Sequence, residues 1–262
     1  MKEIFIFGTC RVCVLIHKDI KLIKEIRQWH SKCYGIGEDI HIYTEPVNYT
    51  TKLIDVLDNI LYMKGKLYNE MDPKRDTMLQ NIFFRGHKTI DDCISPYTHP
   101  SLCSNNENLV FSKIIIEVSS IKQYIINTRK YGDEFYMKNL PYKIDTKFNH
   151  NDMFFDKEDF ICKKMSKEEC FQTLDRIKEE VNCKMLIIGP YISKTVPDYV
   201  NSERADTQGI LKEYCMLNNA EYFDLSEAIK LNEVEIVESD DIHLSRSGVD
   251  IINYVIHRFI ME

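Results

Sequence analysis

Hydrophobic and polar positions alternate along the chain with two different periods. Short runs rich in β-branched and aromatic residues predict strands, because such residues suit a pleated and largely buried surface. They are EIFIF (3–7), DIHIY (39–43), FSKIIIEV (about 111–118), CKMLIIGP (183–190) and EYFDL (221–225). Apolar residues repeated at spacings of three and four predict helices between and after these runs. These helices cover 50–63, 166–181, about 204–218 and about 246–260.

Three of these segments have the clearest sequence signals. In the first helix, one face carries Leu53, Val56, Leu57, Ile60 and Leu61. The second helix begins after Ser166, a good N-cap residue, and has Glu168 and Glu169 in its first turn. The third strand contains three consecutive isoleucines at 114–116, which is typical of a strand covered on both faces.

Strands alternating with helices predict an α/β fold with a doubly wound, flavodoxin-like and mostly parallel sheet and helices on both faces. Residues 66–108 and 131–160 are rich in turn-forming and aromatic residues and are predicted to be loops or insertions. There is no internal repeat and no low-complexity linker, so we expect a single domain over 1–262.

Composition excludes several classes of function. The 262 residues carry a formal net charge of −7, and their 34 basic residues are scattered along the chain. Nucleic acid is therefore not an expected partner, because phosphate binding needs clustered cations. No stretch approaches the roughly 20 apolar residues of a membrane span, and MKEIFIFG is too short for a secretory signal. We expect a cytoplasmic protein, and the sequence indicates no particular oligomeric state.

The nine cysteines are irregularly spaced and odd in number, which favours free thiols over a disulfide framework. Cys10 and Cys13 have the C-x-x-C spacing of a redox pair or of half a zinc site. No second C-x-x-C and no H-x-x-x-H follows, so no metal site is predicted.

Polar clusters follow the ends of the predicted strands, where open parallel sheets bind their ligands. They are Gly8-Thr9-Cys10-Arg11, Ser119-Ser120, Gly189-Pro190-Tyr191 and the segment ESDDIHLSRSG at 238–248. The last cluster places Asp240 three residues before His243. Two readings of these residues compete. Cys10 is either a nucleophile or a small buried apolar residue. Asp240 either assists His243, or Asp240 or Asp241 with Ser245 caps the last helix and His243 is an ordinary surface or buried histidine.

The two ends of the chain together resemble the SGNH (GDSL-type) hydrolase superfamily. The first strand runs into Gly-x-nucleophile, and AEYFDLSEAIKL with DDIHLSRSGVDIINYVI resembles the superfamily's last strand and acid/histidine block. The resemblance places the family's serine on Cys10, its aspartate on Asp240 and its histidine on His243. The start Gly-Thr-Cys-Arg is similar to two offshoots, the proteins with Gly-Ser-Cys-Phe-Ala and capsular-polysaccharide enzymes with Gly-Asn-Cys that are thought to transfer acyl groups.

This sequence departs from the superfamily in two ways. The nucleophile is a thiol, and the Gly-x-Asn-Asp that supplies an oxyanion-hole asparagine is replaced by EVSSIK at 117–122. Backbone N–H groups at Cys10 and Arg11, with Ser119 or Ser120, are the alternative oxyanion donors. Arg11 can instead bind a substrate carboxylate or phosphate, or pair with Glu117 or Asp224.

The residues themselves support this chemistry. A thiol near a helix N-terminus and an imidazole ionises more readily than a free thiol, and the thiolate is the attacking species. His243 would take the Cys10 proton and Asp240 would orient the imidazole. We further assign substrate or oxyanion binding to Gly8, Thr9, Gly189 and Tyr191, which lie in the same clusters.

The leading hypothesis is an ester hydrolase or O-acyltransferase acting on a small molecule, a sugar or a polysaccharide through a Cys10 thioester. It requires no cofactor, and acyl-CoA is a possible acyl donor. Two alternatives stay open at this point. One is a catalytically inactive, carbohydrate-binding protein of the same fold, and the other is a nucleotide- or phosphate-binding protein in which Gly8-Thr9-Cys10 forms a phosphate loop.

Overall fold

The computed structural model describes residues 2–8, 40–44, 52–64, 110–126, 149–150, 153–154, 160–192, 197–233 and 244–262. The described strands are β1 (Lys2–Phe7), β2 (Ile40–Thr44), β3 (Lys113–Glu117), β4 (Lys122–Ile126), β5 (Asn149–His150), β6 (Met153–Phe154), β7 (Phe160–Lys164), β8 (Lys184–Ile188) and β9 (Glu221–Phe223). The described helices are α1 (Leu53–Met63), α2 (Lys167–Val181), α3 (Asp198–Asn218), α4 (Leu225–Leu231) and α5 (Arg246–Met261).

The chain divides into two compact units. Unit 1 comprises Met1–Glu45, Val110–Ser120 and Val181–Glu262, and unit 2 comprises Pro46–Leu109 and Ile121–Glu180. Among the described helices, none is long and apolar enough to cross a membrane. The expectation of a single domain stays a prediction.

Unit 1 is built on a five-stranded sheet in the order β2-β1-β3-β8-β9. Every neighbouring pair in this sheet is parallel. All residues of β3 are buried, and Ile114–Ile116 are fully inaccessible. The predicted α/β fold with a flavodoxin-like, mostly parallel sheet is confirmed, as is the prediction of a central strand covered on both faces.

One face of the sheet packs against α4 and α5. The buried residues of this face, which we call the core cluster, combine apolar side chains of β1, β3 and β8 with those of both helices. Its members are Ile4, Ile6, Ile115, Leu186, Ile188, Tyr191, Leu225, Ile229, Leu244, Ile252, Val255, Ile256, Phe259 and Ile260. The first strand and the last helix, which are farthest apart in sequence, therefore share one core.

A buried lysine joins the start of β3 to the end of α5. Lys113 is buried, and its Nζ donates to the carbonyl oxygens of Phe259 at 2.5 Å and Ile260 at 3.1 Å. The ammonium group also lies 5.2 Å from the centroid of the Phe259 ring. Lys113 thus satisfies two carbonyl groups in the last turn of α5, where a cation also interacts favourably with the helix dipole.

We expect Lys113→Met to lower the free energy of unfolding by about 2–3 kcal/mol, because both carbonyl groups lose a charged donor in a buried place. Lys184 is the matched control. It pairs with Lys113 in the sheet register but is exposed, so Lys184→Met should cost less than about 0.5 kcal/mol. Urea denaturation of both variants measures the difference, and equal losses would show that the Lys113 bonds contribute nothing.

Unit 2 contains α1, α2 and the antiparallel pair β4–β7. The five apolar residues predicted to share one face of α1 are all buried. Ser166 begins α2 as predicted, with a reciprocal capping box: Ser166 Oγ accepts from the Glu169 N–H at 3.1 Å, and the Glu169 carboxylate accepts from the Ser166 N–H at 2.7 Å. The ends of α1 and α2 are joined by Lys64, which donates to the Glu180 carbonyl and lies 3.2 Å from its carboxylate.

Several elements differ from the sequence prediction. Helix α3 begins at Asp198 rather than near 204, and α4 was not predicted. The pairs β4–β7 and β5–β6 were also missed. The segment 66–108 lies outside the described residues. The segment 131–160 is described only in part, at β5, β6 and the first residue of β7.

Candidate functional site

The candidate site lies at the carboxyl ends of β1, β3 and β8 in unit 1. The order β2-β1-β3-β8-β9 reverses direction between β1 and β3, so this is the topological switch point at which flavodoxin-like sheets bind ligands. Gly8 follows β1, residues 118–120 follow β3, and residues 189–192 follow β8.

Strand register brings these three segments to one edge of the sheet. Phe7 pairs with Ile116, and Glu117 pairs with Ile188. The Val118 N–H donates to the Ile188 carbonyl at 3.0 Å, so pairing continues one residue beyond β3. Adjacent strands are about 4.8 Å apart. The segments after β1, β3 and β8 therefore leave the sheet side by side.

A fully buried carboxylate lies at the centre of this edge. Glu117 is the last residue of β3 and is 0% exposed. The Ser119 hydroxyl donates to Glu117 Oε1 at 3.5 Å. Burying a carboxylate is costly unless it is paired or hydrogen-bonded. Glu117 therefore places a hydrogen-bonded polar group in the middle of the candidate site.

Among the predicted site residues, the structure describes five. Gly8 and Gly189 are buried at the ends of their strands, and Ser119 and Ser120 are half-buried after β3. The Tyr191 side chain is buried in the core cluster. Thr9, Cys10, Arg11, Asp240 and His243 lie outside the described residues, so their arrangement stays a prediction.

The helix that follows the predicted acid/histidine segment has its own cap. Ser245 is the N-cap of α5, and its Oγ accepts from the Gly248 N–H at 3.4 Å and lies 2.8 Å from the Ser247 hydroxyl. A serine N-cap already serves the first turn. The N-cap position of α5 is therefore taken by Ser245 and not by an aspartate.

Three side chains of α3 and α4 hold the segment Gly189–Ile192, which we call the β8 loop. Arg204 donates to the Tyr191 carbonyl at 2.7 Å. Gln208 Nε2 and the Ser226 hydroxyl donate to the Pro190 carbonyl at 3.1 and 3.2 Å. Ser226 Oγ also accepts from the Ile192 N–H at 2.8 Å. Sequence reasoning missed these three residues, although Asp224 followed by Glu227 is a helix-start signal that places Ser226 in a first turn.

Gly189 is required by a close approach. A Cβ atom at this position would lie 2.2 Å from Tyr222 Oη and 3.0 Å from Tyr222 Cζ. The Tyr222 hydroxyl is buried and has no hydrogen-bond partner within the part of the chain that the structure describes. Burial raises the pKa of Tyr222, so the phenol stays neutral.

We expect Gly189→Ala to lower stability by about 1–3 kcal/mol, because the new methyl group overlaps the Tyr222 ring. Tyr222→Phe should be neutral or stabilising, since it removes an unpartnered hydroxyl, and it should reduce the cost of Gly189→Ala. Gly209, on α3, has open space around it, so Gly209→Ala should stabilise by up to about 1 kcal/mol. Thermal denaturation tests the set, and equal effects at the two glycines would contradict the close approach.

The three thiols whose environment the structure describes are poor nucleophiles. Burial raises the pKa of Cys170, Cys183 and Cys215 to about 12. For Cys170, the neighbouring Glu169 carboxylate adds to this effect. None of these thiols is suited to catalysis near neutral pH, because the thiolate is the reactive form.

A group of three or more histidine, cysteine, aspartate or glutamate side chains that could hold a metal does not occur among the described residues. No protein-family model and no curated protein matches the sequence.

Three solved structures are similar to this chain. The lipase/acylhydrolase from Enterococcus faecalis is 10% identical to this chain, with a TM-score of 0.51 over 99% of this chain and 95% of that one. A catalytic mutant of Axe2, an acetylxylan esterase from Geobacillus stearothermophilus, is 10% identical, with a TM-score of 0.48 over 98% of this chain and 93% of that one. A lipolytic protein of the G-D-S-L family from Veillonella parvula is 12% identical, with a TM-score of 0.44 over 97% of this chain and 95% of that one. The first likeness shows a shared fold over nearly the whole chain.

Proposed function

We propose that the protein is an ester-cleaving acyl-transfer enzyme in which Cys10, His243 and Asp240 act together through a thioester intermediate. The observation that supports this most directly is that both ends of the chain enter one buried cluster. Ile4 and Ile6 of β1 share the core cluster with Leu244. Cys10 follows the end of β1 by three residues, and His243 directly precedes Leu244.

Chain connectivity limits how far the proposed groups lie from this cluster. Consecutive Cα atoms are about 3.8 Å apart, so Cys10 is within two such steps of Gly8 and His243 within one step of Leu244. Gly8 directly follows β1, which borders the switch point of the sheet. This supports a thiol and an imidazole that serve one substrate at the carboxyl edge.

In the proposed reaction, His243 takes the proton of the Cys10 thiol, and the thiolate attacks the ester carbonyl carbon. The carbon–oxygen bond of the tetrahedral adduct then breaks, and His243 returns the proton to the leaving alcohol. In the second half, His243 takes the proton of water or of a second alcohol, whose oxygen attacks the thioester carbonyl carbon. The carbon–sulfur bond then breaks, giving an acid or a new ester, and His243 returns the proton to the Cys10 thiolate. Asp240 holds the imidazole tautomer and stabilises its charged form.

The oxyanion of the tetrahedral adduct needs donors other than an asparagine. We assign this role to the backbone N–H groups of Cys10 and Arg11 together with a hydroxyl of Ser119 or Ser120. A well-placed donor is worth about 3 kcal/mol. The half-buried position of both serines at the carboxyl end of β3 supports this assignment. Ser119 would have to exchange its 3.5 Å bond to Glu117 Oε1 for one to the oxyanion, since a hydroxyl has a single donor.

The proposed substrate is an acyl ester of a sugar or polysaccharide. The sugar is supported by the similarity of the Gly-Thr-Cys-Arg start to one of the two offshoots, the capsular-polysaccharide enzymes that are thought to transfer acyl groups. The acyl ester alone is supported by the Enterococcus faecalis protein of the same fold, which is a lipase/acylhydrolase. A thioester gives up its acyl group to water or to an alcohol, so the same site can hydrolyse or transfer. Acyl-CoA is the proposed donor for transfer, and no cofactor is required.

Pre-steady-state hydrolysis of p-nitrophenyl esters of increasing acyl length tests the reaction class. We expect a burst of p-nitrophenol close to one equivalent per active site, followed by slower turnover that a sugar alcohol accelerates. Cys10→Ala should abolish the burst, and Cys13→Ser, the matched control in the same C-x-x-C segment, should keep it. Failure of the wild-type protein to release p-nitrophenol from any ester would overturn the proposed function.

A further inference from the structure

Residues 189–191 of the β8 loop are buried, so their polar backbone groups need hydrogen-bond partners within the protein. Three consecutive residues of this loop have polar backbone groups bound by side chains of α3 and α4. These groups are the Pro190 carbonyl, the Tyr191 carbonyl and the Ile192 N–H. The loop conformation is therefore set by side chains distant in sequence.

Ser226 uses its whole hydrogen-bonding capacity in this arrangement. Its hydroxyl donates to the Pro190 carbonyl and accepts both from the Ile192 N–H and from Gln208 Nε2, at 3.2, 2.8 and 3.1 Å. A hydroxyl has one donor and two acceptor positions. Ser226 thus bonds the β8 loop at both Pro190 and Ile192, and its one donor and two acceptor positions are all occupied.

The Gln208 amide is oriented by the cap of α4. Gln208 Nε2 donates to Asp224 Oδ1 at 3.1 Å, and the same oxygen accepts from the Glu227 N–H at 3.0 Å as the N-cap of the helix. Because the Asp224 carboxylate and the Pro190 carbonyl can only accept, the NH₂ side of the amide faces Asp224, Ser226 and Pro190. Its two N–H hydrogens are shared among these three oxygens, each 3.1 Å from Nε2. A single amide therefore links α3, α4 and the loop.

The β8 loop lies at the carboxyl edge of the sheet, so the side chains that hold it also shape the candidate site. The β8 loop leaves the sheet beside residues 118–120, through the bond between the Val118 N–H and the Ile188 carbonyl. Its Tyr191 side chain lies in the core cluster together with Leu244. The loop thus lies beside the segment after β3, one strand away from the switch point, and its Tyr191 packs in the same cluster as Leu244, which precedes α5.

We propose that Gln208 and Ser226 are positioning residues that fix the β8 loop as one wall of the acyl-transfer site. This inference rests on the proposed function. Both residues act through the loop backbone and not on the substrate. Their loss should therefore impair the use of an ester substrate without changing the intrinsic reactivity of the nucleophile.

The test compares ester turnover with alkylation of Cys10 by iodoacetamide in Ser226→Ala and Gln208→Met. We expect kcat/KM for a p-nitrophenyl ester to fall about tenfold or more, since small displacements in a site are costly. The rate of Cys10 alkylation should stay within about twofold of wild type. Ser226→Thr keeps the hydroxyl and should restore most of the lost kcat/KM.

Asn232→Ala and Thr207→Val are the matched controls. Asn232 bonds the Ala228 carbonyl at the other end of α4, and Thr207 bonds the Glu203 carbonyl on α3, next to Gln208. We expect both controls to lower the melting temperature while keeping kcat/KM. Equal losses of kcat/KM in controls and test variants, or full activity in Ser226→Ala and Gln208→Met, would overturn the positioning role. A wild-type protein without ester turnover would instead overturn the proposed function itself, and this role with it.

Discussion

Cys10→Ala and His243→Ala are each expected to lower ester turnover by about four orders of magnitude, and the double variant should lose little more than either alone. The reason is that a nucleophile and its general base act as one unit, so once either is removed the other no longer contributes to turnover. Steady-state kinetics with one activated ester, measured on both single variants and the double variant, gives the comparison.

Two carboxylate variants are the internal controls of this experiment. Asp240→Asn should cost less than either Cys10→Ala or His243→Ala, because a thiol that ionises readily depends less on the orienting carboxylate than a serine does. Ser245 already caps α5, so Asp241→Asn should change stability by less than about 0.5 kcal/mol and leave turnover unchanged. Additive losses for Cys10 and His243, or a larger effect at Asp241 than at Asp240, would contradict the proposed triad.

A limiting dose of iodoacetamide is expected to label Cys10 far ahead of Cys170, Cys183 and Cys215. Burial raises the pKa of these three thiols to about 12, so their thiolates become populated only as the pH approaches that value. At pH 7 roughly one such thiol in 100,000 is ionised, against a few in 100 for an ordinary thiol. We therefore expect a labelling ratio of at least about 100 in favour of Cys10.

Peptide mapping after labelling of the native protein at pH 6.5, 7.5 and 8.5 measures this ratio. A catalytic Cys10 should already react at pH 6.5, whereas Cys170, Cys183 and Cys215 should react only after denaturation. Labelling of Cys183 ahead of Cys10 in the native protein would support the reading of Cys10 as a small apolar residue of the core.

The elements of unit 1 with a strong apolar pattern could be predicted from the sequence. Strands β1, β3 and β8 are short apolar runs that end at turn-forming or polar residues. Helix α5 has apolar residues at helical spacing on one face and polar residues on the others. Burial on both faces explains why β3 reads as a continuous run of isoleucines.

Elements without such a pattern were missed or shortened. Helix α3 has no buried residue before Thr207, so its first turns lack the apolar repeat on which the prediction depended. Helix α4 has seven residues, too few to show a helical period. Strands β4 and β7 pair residues about 40 apart in sequence, and such pairing leaves no local signal.

The candidate site divides in the same way. Residues next to strand ends, such as Gly8, Ser119 and Gly189, could be placed at the carboxyl edge because parallel strands all end there. The residues that hold the β8 loop could not be found, because Gln208 and Ser226 each bond a loop residue that lies 18 or 36 positions away. A side-chain bond across that distance depends on the fold and not on any local pattern.

Intact-mass spectrometry after exposure to a panel of activated esters and acyl-CoA donors tests the central claim most directly. We predict that the wild-type protein gains the mass of one acyl group, that hydroxylamine removes it as expected of a thioester, and that peptide mapping places it on Cys10. Cys10→Ala should gain no acyl group under the same conditions. An adduct on another residue, or its persistence in Cys10→Ala, would contradict a mechanism through a Cys10 thioester.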